Sequence, residues 1–446
     1  MKFISTRDFS SRPREVSFKE AVVHCMSRDG GLYIPSNCED LRKWILYADE
    51  NTSFANLAGT LTSALINTEF SPLICETIAS RAFEGHDPVL KQLDKDLFIL
   101  ELNHGPTGTI KDYGVAYLIS VLETILQYDG EKSILLDATS GELGACMAKA
   151  LRGKKLVKSV LLAPKGKFRG MEESDFAWNG GNIYPIEVDG TEEDCHNLIR
   201  AVFARQDLVE KYSLTVANTS NIGRLLPQAF FYVYAFSHLK KSVDGDIYYA
   251  LAAGNYGNIV SGLYAWMMSL PVNGFFVPST SDLCLDATGN CTLLNSMVSL
   301  EKRKMADPAD PSNLERLEAV FKANQLLMKS FLFPSNVSSL QTEEACRSLY
   351  KKYGVIADRE TSSAYAASLL RKSEYDEDGS AVVLMQRTDP SFDSTFISHN
   401  LGEKPVLPEN VRSAVSPVQL ERACIAPGDL ESLISVLNSL NLLRIF

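Results

Sequence analysis

Residues 248–258 read Tyr-Tyr-Ala-Leu-Ala-Ala-Gly-Asn-Tyr-Gly-Asn, and the helical pattern of Ile259–Ser269 follows at once. An apolar run enters a turn punctuated by glycine and leaves as a helix, which is the order of a strand–turn–helix unit. Outward from it, further apolar runs stand at Leu97–Leu100, Ser133–Asp137, Ser159–Ala163, Ile183–Val188, Leu214–Ala217, Gly274–Val277 and Ala381–Met385, with Tyr248–Ala252 as the central one. Helical patterns separate most of them, at Val115–Leu126, Ala145–Leu151, Glu192–Phe203, Leu225–Leu239 and Leu314–Leu332. Strands alternating with helices predict an α/β fold with a largely parallel sheet, and a ligand site at the carboxyl ends of its strands. Segment 1–95 lacks this alternation. There Ser17 and Glu20 suggest a capping box ahead of Phe18, Ala21, Val22, Cys25 and Met26, so a helical unit is expected, followed by an extended Leu32–Pro35. Loops are expected at 305–313, 372–380 and 400–419, and the tail 427–446 reads as a short amphipathic helix with a final strand.

The composition narrows the class. A chain of 446 residues suggests about three domains. With 45% hydrophobic and 22% charged residues it is a globular sequence. Lys and Arg total 44 against 55 Asp and Glu, a net charge of −11, which speaks against nucleic acid as a partner and leaves room only for a local basic pocket. No apolar run approaches the roughly 18–20 residues of a membrane span, and the N-terminus lacks the apolar core of a secretory signal. Nine scattered cysteines without a CxxC pair read as thiols of a reducing compartment, so a cytoplasmic protein is expected. The six histidines lack ligand spacing, and no metal site is expected.

Three places carry chemistry. In Gly254-Asn255-Tyr256-Gly257-Asn258 the glycines let backbone N–H groups converge on an anion at a helix start, and the asparagine amides can add donors; a plain strand–helix turn is the competing reading. In His104-Gly105-Pro106-Thr107-Gly108-Thr109-Ile110-Lys111-Asp112 a lysine stands at a helix N-terminus, where the helix dipole disfavours its charge. Such an amine can act as a nucleophile or base; a solvated lysine is the alternative. In Ala138-Thr139-Ser140-Gly141-Glu142-Leu143-Gly144 hydroxyls and free N–H groups open the next helix, as a carboxylate site or as an ordinary cap. An amine, a phosphate cradle and a carboxylate loop together suit a pyridoxal-phosphate (PLP) enzyme acting on an amino acid.

With these segments the chain resembles the threonine synthase family of fold-type II PLP enzymes. Ser5-Thr6-Arg7 and Asp29–Pro35 resemble the family's STRG and DGGLYVP opening, and His104–Asp112 resembles HGPT-x-x-FKD. Ala138–Gly144 is similar to ATSGDTG, Pro164–Lys167 to PKG[KR], and Val188–Cys195 to EGTFDDC. Asn218–Gln228 resembles NSINWARxxxQ, Gly254–Asn258 resembles GNFGN, and Asp307–Arg316 resembles NPSN[FM]ER. The departures are Ile110 for Phe, Glu142-Leu143 for Asp-Thr, a different continuation over Phe168–Trp178, and Gln386–Phe392 in place of TAHPAKF.

The resemblance implies a tryptophan synthase β-like α/β fold: two parallel-sheet αβα domains with the cofactor between them, plus a helical N-terminal domain. The implied division is 1–95 for the helical domain, 96–113 with 222–415 for the large PLP-binding domain and 114–221 for the small domain. Residues 416–446 would pack on the large domain. The implied reaction converts O-phospho-L-homoserine and water to L-threonine and phosphate; elimination from another hydroxy- or phospho-amino acid is the alternative. By the same resemblance Lys111 carries the PLP, Gly254, Asn255, Tyr256, Gly257 and Asn258 hold its phosphate, and Arg387 or Thr388 faces the ring nitrogen. Thr139, Ser140, Gly141, Glu142 and Asn218 would hold the substrate, with Arg224, Lys165 and Lys167 as the basic candidates for its phosphate. A monomer or homodimer is expected.

Overall fold

The structure, a computed structural model, describes residues 1–442 apart from 131, 294–298, 300, 301, 323, 377 and 378; the expected final strand at 443–446 lies outside the described residues. The chain opens on β1 (Phe3–Ser5), antiparallel to β2 (Tyr33–Pro35). Between them runs the Phe18–His24 helix, capped by the Ser17 side chain on Glu20 N. Glu20 does not close the expected capping box, because its carboxylate is taken by Arg14 at 2.8 Å. Helices Phe54–Ile66 and Pro72–Phe83 follow. Then β3 (Val89–Gln92), within the segment read as helical, runs antiparallel beside β4 (Leu97–Glu101) as an edge strand of the large sheet.

The Lys111–Asp129 helix leads into β5 (Ile134–Ala138), β6 (Lys158–Pro164), β7 (Ile183–Val188) and β8 (Leu214–Thr215), a four-stranded parallel sheet in the order β7-β6-β5-β8. The chain then returns to the large sheet. Here lie β9 (Ile247–Ala250), β10 (Gly274–Pro278), the hairpin of β11 (Leu283–Leu285) with β12 (Cys291–Leu293), then β13 (Leu332–Ser335) and β14 (Ala381–Gln386). The six-stranded order is β13-β10-β9-β14-β4-β3, parallel except for β3. β4, β9 and β14 are buried at every position, as continuous apolar runs should be in a sheet covered on both faces.

An aromatic knot fixes the helix that Lys111 opens. Phe54 stacks on Phe231 at 5.4 Å and meets Tyr113 edge-on at 5.7 Å, while Phe83 stacks on Tyr117 at 5.8 Å. The N-terminal helices therefore grip the first two turns of that helix through large buried rings.

Three expectations are corrected. The pattern read as one helix over Leu314–Leu332 is two helices, Leu314–Phe321 and Gln325–Lys329, then β13. Lys322 turns left-handed at φ 45°, and Asn324 caps the second helix through Leu327 N. The stretch 400–419, read as loop, contains the Glu409–Val415 helix. The tail packs on the small sheet rather than the large domain: Leu433, Leu437 and Leu440 join the core of Ile134, Leu136, Val160 and Leu162, and Ile425 bridges to Val188. Among the described residues no helix is long and apolar enough to cross a membrane.

Candidate active site

A cavity of about 610 Å³ opens where the strand ends of the two sheets meet. Ile110 and Lys111 reach it from beyond β4, Asn255 and Asn258 from beyond β9, and Arg387 and Thr388 from beyond β14. The small sheet contributes Ala138, Thr139, Ser140, Glu142 and Leu143 after β5, and Ala217, Asn218 and Thr219 after β8. Carboxyl ends of parallel strands are where such folds bind ligands, because the next helix begins there with free N–H groups.

Lys111 is the first residue of its helix, and its Nζ lies 2.6 Å from Glu142 Oε2. The stretch before it is laced to the end of β14: Ile110 N donates to Arg387 O at 2.7 Å, and Thr109 bridges to Thr388. Beneath it Asp112 is buried and accepts from Thr107 N at 2.8 Å and Thr107 Oγ1 at 2.7 Å; burial pushes its carboxyl above the usual range. Gly105 leaves room for this carboxylate, since a Cβ there would strike Asp112.

The glycine turn takes two left-handed residues, Gly254 at φ 51° and Tyr256 at φ 65°, and the Gly257–Met267 helix starts from it. Both asparagine amides are engaged within the protein. Asn255 Nδ2 donates to Thr219 Oγ1 at 2.9 Å and Asn258 Nδ2 to Gln228 Oε1 at 3.3 Å. Tyr256 N already donates to Ala253 O at 2.8 Å and Gly257 N to Asn255 Oδ1 at 3.2 Å, so what the turn offers an anion is the N–H groups that follow at the helix start, which lack an intrahelical partner. Asn255 and Asn258 line the cavity, whereas Gly254, Tyr256 and Gly257 are not among its lining residues; the Tyr256 hydroxyl meets Thr280 at 2.8 Å.

In the Thr139–Gly144 turn, Thr139 Oγ1 accepts from Gly141 N at 2.9 Å and Gly144 N at 3.0 Å, so this hydroxyl is the cap of the Glu142–Leu151 helix. Ser140 is exposed on the wall. Asn218 ties the wall to the following segment, donating to Pro308 O at 2.7 Å and accepting from Ser220 N at 2.9 Å.

Arg224 is buried to 5% exposure, lines the cavity, and has no hydrogen-bond partner at Nη1. Burial brings its pKa down to about 10, against the opposing pull of Cys146 and Asp112. It fits only because residue 114 is glycine, whose Cβ would meet the guanidinium. Lys165 and Lys167 are not among the lining residues; they stand in the turn after β6. The basic group at the Gly141 turn is instead Arg169, whose Cγ is 3.4 Å from where a Gly141 Cβ would be, and which lines an adjoining cavity of about 210 Å³.

Arg387 and Thr388 both face the main cavity. Arg387 Nη2 donates to Glu360 Oε2 at 2.7 Å, and its Nη1 lies 3.2 Å from the Cβ position of Gly254. The guanidinium thus lies over the glycine turn with Glu360 as its partner. Asp358, two residues earlier, is buried with its carboxyl pushed up to about 6 by desolvation, while Arg387 pulls the other way. Glu360, Asp358, Arg169, Glu192 and His196 escaped the sequence reading, because the folding of distant segments is what brings them to the cavities; Glu360, for one, meets Arg387 from 27 positions away. The signal for His196 and Glu192 was available in their four-residue spacing on one helix face.

The family model described as "Pyridoxal-phosphate dependent enzyme" matches residues 82–386, and "Threonine synthase N terminus" matches residues 2–83. The threonine synthase of Buchnera aphidicola subsp. Acyrthosiphon pisum is 30% identical over 352 residues, covering 79% of this chain and 81% of that one. The chain belongs to the threonine synthase family of pyridoxal-phosphate-dependent enzymes. The family's member from Serratia marcescens is 30% identical over 370 residues, covering 82% of this chain and 84% of its own. In fold, the chain is similar to the PLP-bound threonine synthase from Brucella melitensis, with a TM-score of 0.78 at 21% identity over 98% of this chain and 99% of that one.

The family's motifs divide by what they do. Some line the cavity, while others hold the frame: Thr6 and Arg7 both bond Glu315, and Arg316 is fully buried, reaching Tyr33 O at 2.9 Å, Ser220 O at 2.8 Å and Asn313 Oδ1 at 2.7 Å.

Proposed function

We propose that this chain converts O-phospho-L-homoserine and water to L-threonine and phosphate, with PLP carried on Lys111. The observation that carries the reading is the meeting of three features around one cavity: the Lys111 amine, the turn that brings Asn255 and Asn258 to the wall at a helix start, and an arginine whose buried Nη1 has no partner. The residues suit the cofactor. A compact anion suits the start of the Gly257–Met267 helix, where the helix dipole is positive and the Arg387 guanidinium lies beside Gly254. When bound, PLP supplies an electron sink for negative charge developing at the substrate's carbons.

The chain's own groups do the rest. With substrate bound, the Lys111 amine moves protons at Cα, Cβ and Cγ. Arg224 binds the substrate phosphate and, being buried, holds it away from water, which strengthens the attraction. Ser140 and the first N–H groups of the Glu142–Leu151 helix hold the substrate carboxylate, with Thr139 keeping that turn in shape. Loss of the γ-phosphate and addition of water at Cβ then leave threonine, with Lys111 returning the last proton to Cα. The nine unpaired cysteines, all but three of them buried, fit the reducing cytoplasm. Incubating the PLP-loaded enzyme separately with phosphohomoserine, threonine, serine and phosphoserine tests the reading. Threonine and phosphate in equal amounts from phosphohomoserine support it, whereas a keto acid and ammonia as the main products from any of the four favour an eliminating lyase.

A further inference from the structure

The contact between Lys111 and Glu142 has no part in the reaction as set out above. Nζ and Oε2 stand 2.6 Å apart, and the two residues each open a helix, one following β4 and the other β5. The dipole of its own helix favours Glu142 at that position and disfavours the cation at Lys111. The lysine thus finds across the cavity the negative charge that its own helix start opposes. Gly141, at φ 144°, gives the turn that presents the carboxylate, a conformation open to glycine.

The other charges that face the cavity are engaged elsewhere or lie further off. Arg387 is held by Glu360 at 2.7 Å, Arg224 feels Asp112 and Cys146, and His196 stands 3.6 Å from Glu193. Arg169 donates to the carbonyls of Gly166 and Phe168. Asp358 accepts from Thr361 N at 2.8 Å and Asp393 from Arg359 N at 3.0 Å, while Glu192 and Asp310 complete the acidic wall. Among the described residues, Glu142 is the carboxylate within ion-pair distance of Lys111.

We propose that Glu142 is the positioning residue for Lys111: its carboxylate orients the lysine nitrogen and supplies the negative charge beside it. The inference rests on Lys111 carrying the cofactor. With the side chains 42% and 39% exposed, the pair is partly screened in the open cavity. A cofactor and substrate filling that space exclude water, and the same contact then acts more strongly on the nitrogen. An opposite charge at this range moves a titration midpoint by about 1 to 3 pH units.

The test is a pH titration of the absorbance band of the PLP-loaded enzyme, a readout independent of turnover. Wild type is compared with Glu142→Gln, which keeps size and removes charge, and Glu142→Asp, which keeps the charge. The midpoint should fall by about 1 to 3 pH units in Glu142→Gln and by clearly less in Glu142→Asp. A midpoint unmoved in Glu142→Gln, or moved equally in both variants, overturns the proposal. The underlying reading fails separately: if Lys111→Ala still yields a borohydride-fixed cofactor on another lysine, Lys111 is not the attachment point, whatever Glu142 does.

Discussion

Replacing Arg224 by methionine should separate stability from function. The guanidinium is buried, one of its nitrogens has no partner, and burial brings its pKa from 12.5 to about 10. At 1.36 kcal/mol per pH unit, holding this charge costs the folded chain on the order of 3 kcal/mol. That figure is already net of the opposing pull of Cys146 and Asp112, and Asp112 keeps its own bonds from Thr107 when the arginine is gone. Methionine has an unbranched apolar side chain of similar reach. The cofactor-free variant should therefore unfold at the same or higher urea concentration, with a gain of about 0–3 kcal/mol. Function should move the other way. A hydrogen bond to a charged group is worth about 1.5–3 kcal/mol, so kcat/KM for phosphohomoserine should fall by roughly 10- to 150-fold. Inorganic phosphate should also raise the unfolding midpoint of wild type and leave that of Arg224→Met where it was. A variant less stable by more than about 2 kcal/mol, with kcat/KM unchanged, would show the arginine to be a structural post and refute the reasoning.

Gly257→Val adds a branched side chain where even a Cβ would stand within 3.2 Å of Asn255, Leu225 and Asn313, so PLP affinity measured by dialysis should drop steeply while the circular dichroism spectrum stays native; full occupancy would contradict the cradle. Asp358→Asn keeps the cap on Thr361 N and removes a carboxyl whose folded pKa is raised from 3.8 to about 6. Its folded state favours the protonated form, so wild-type stability from this group is present below pH 4 and is lost as pH rises through 6. The variant should therefore gain on the order of 1–3 kcal/mol relative to wild type at pH 7 and show a flatter urea midpoint between pH 4 and 6. Lys111→Ala should lose the visible absorbance of bound cofactor and all turnover with its urea midpoint unchanged, since the amine is 42% exposed and makes one ion pair.

How much of this was legible follows from what each element buries. β4, β9 and β14 are continuous apolar runs, and their starts and ends fall within a residue or two of the reading from sequence. The Ser339–Tyr353 and Arg359–Leu370 helices left no comparable trace, because what they bury is mostly small or polar: Thr342, Ala345 and Cys346 in one, and Thr361, Ser362, Ala364 and Ala367 in the other. β13 starts at Leu332, the last residue of the pattern read as a helix, and only pairing with β10 distinguishes it. The tail was misplaced because Leu433, Leu437 and Leu440 would suit either sheet, and nothing local chooses between them. Of the residues singled out from sequence, those at helix starts, such as Lys111, Asn255 and Asn258, do lie on the cavity wall. The reading missed those defined by a distant partner. Arg169 reaches the Gly141 turn from beyond β6, and Glu360 meets Arg387 from 27 positions away.

Two of the departures from the family's motifs are linked by charge. Glu142 introduces a longer acidic arm at the substrate loop, and Arg387 a cation at the end of β14. Each is matched by an opposite charge from another element at close range, Lys111 at 2.6 Å and Glu360 at 2.7 Å. Unmatched, an arginine side chain left 15% exposed would carry a desolvation penalty of several kcal/mol. Matched, it lies over the glycine turn as a fixed positive charge beside the proposed phosphate cradle. Glu142 in turn stands where a substrate carboxylate is proposed to enter, and two carboxylates repel. The pairing with Lys111 at 2.6 Å offsets that repulsion, because the nearby cation reduces the negative field that Glu142 presents to an entering anion.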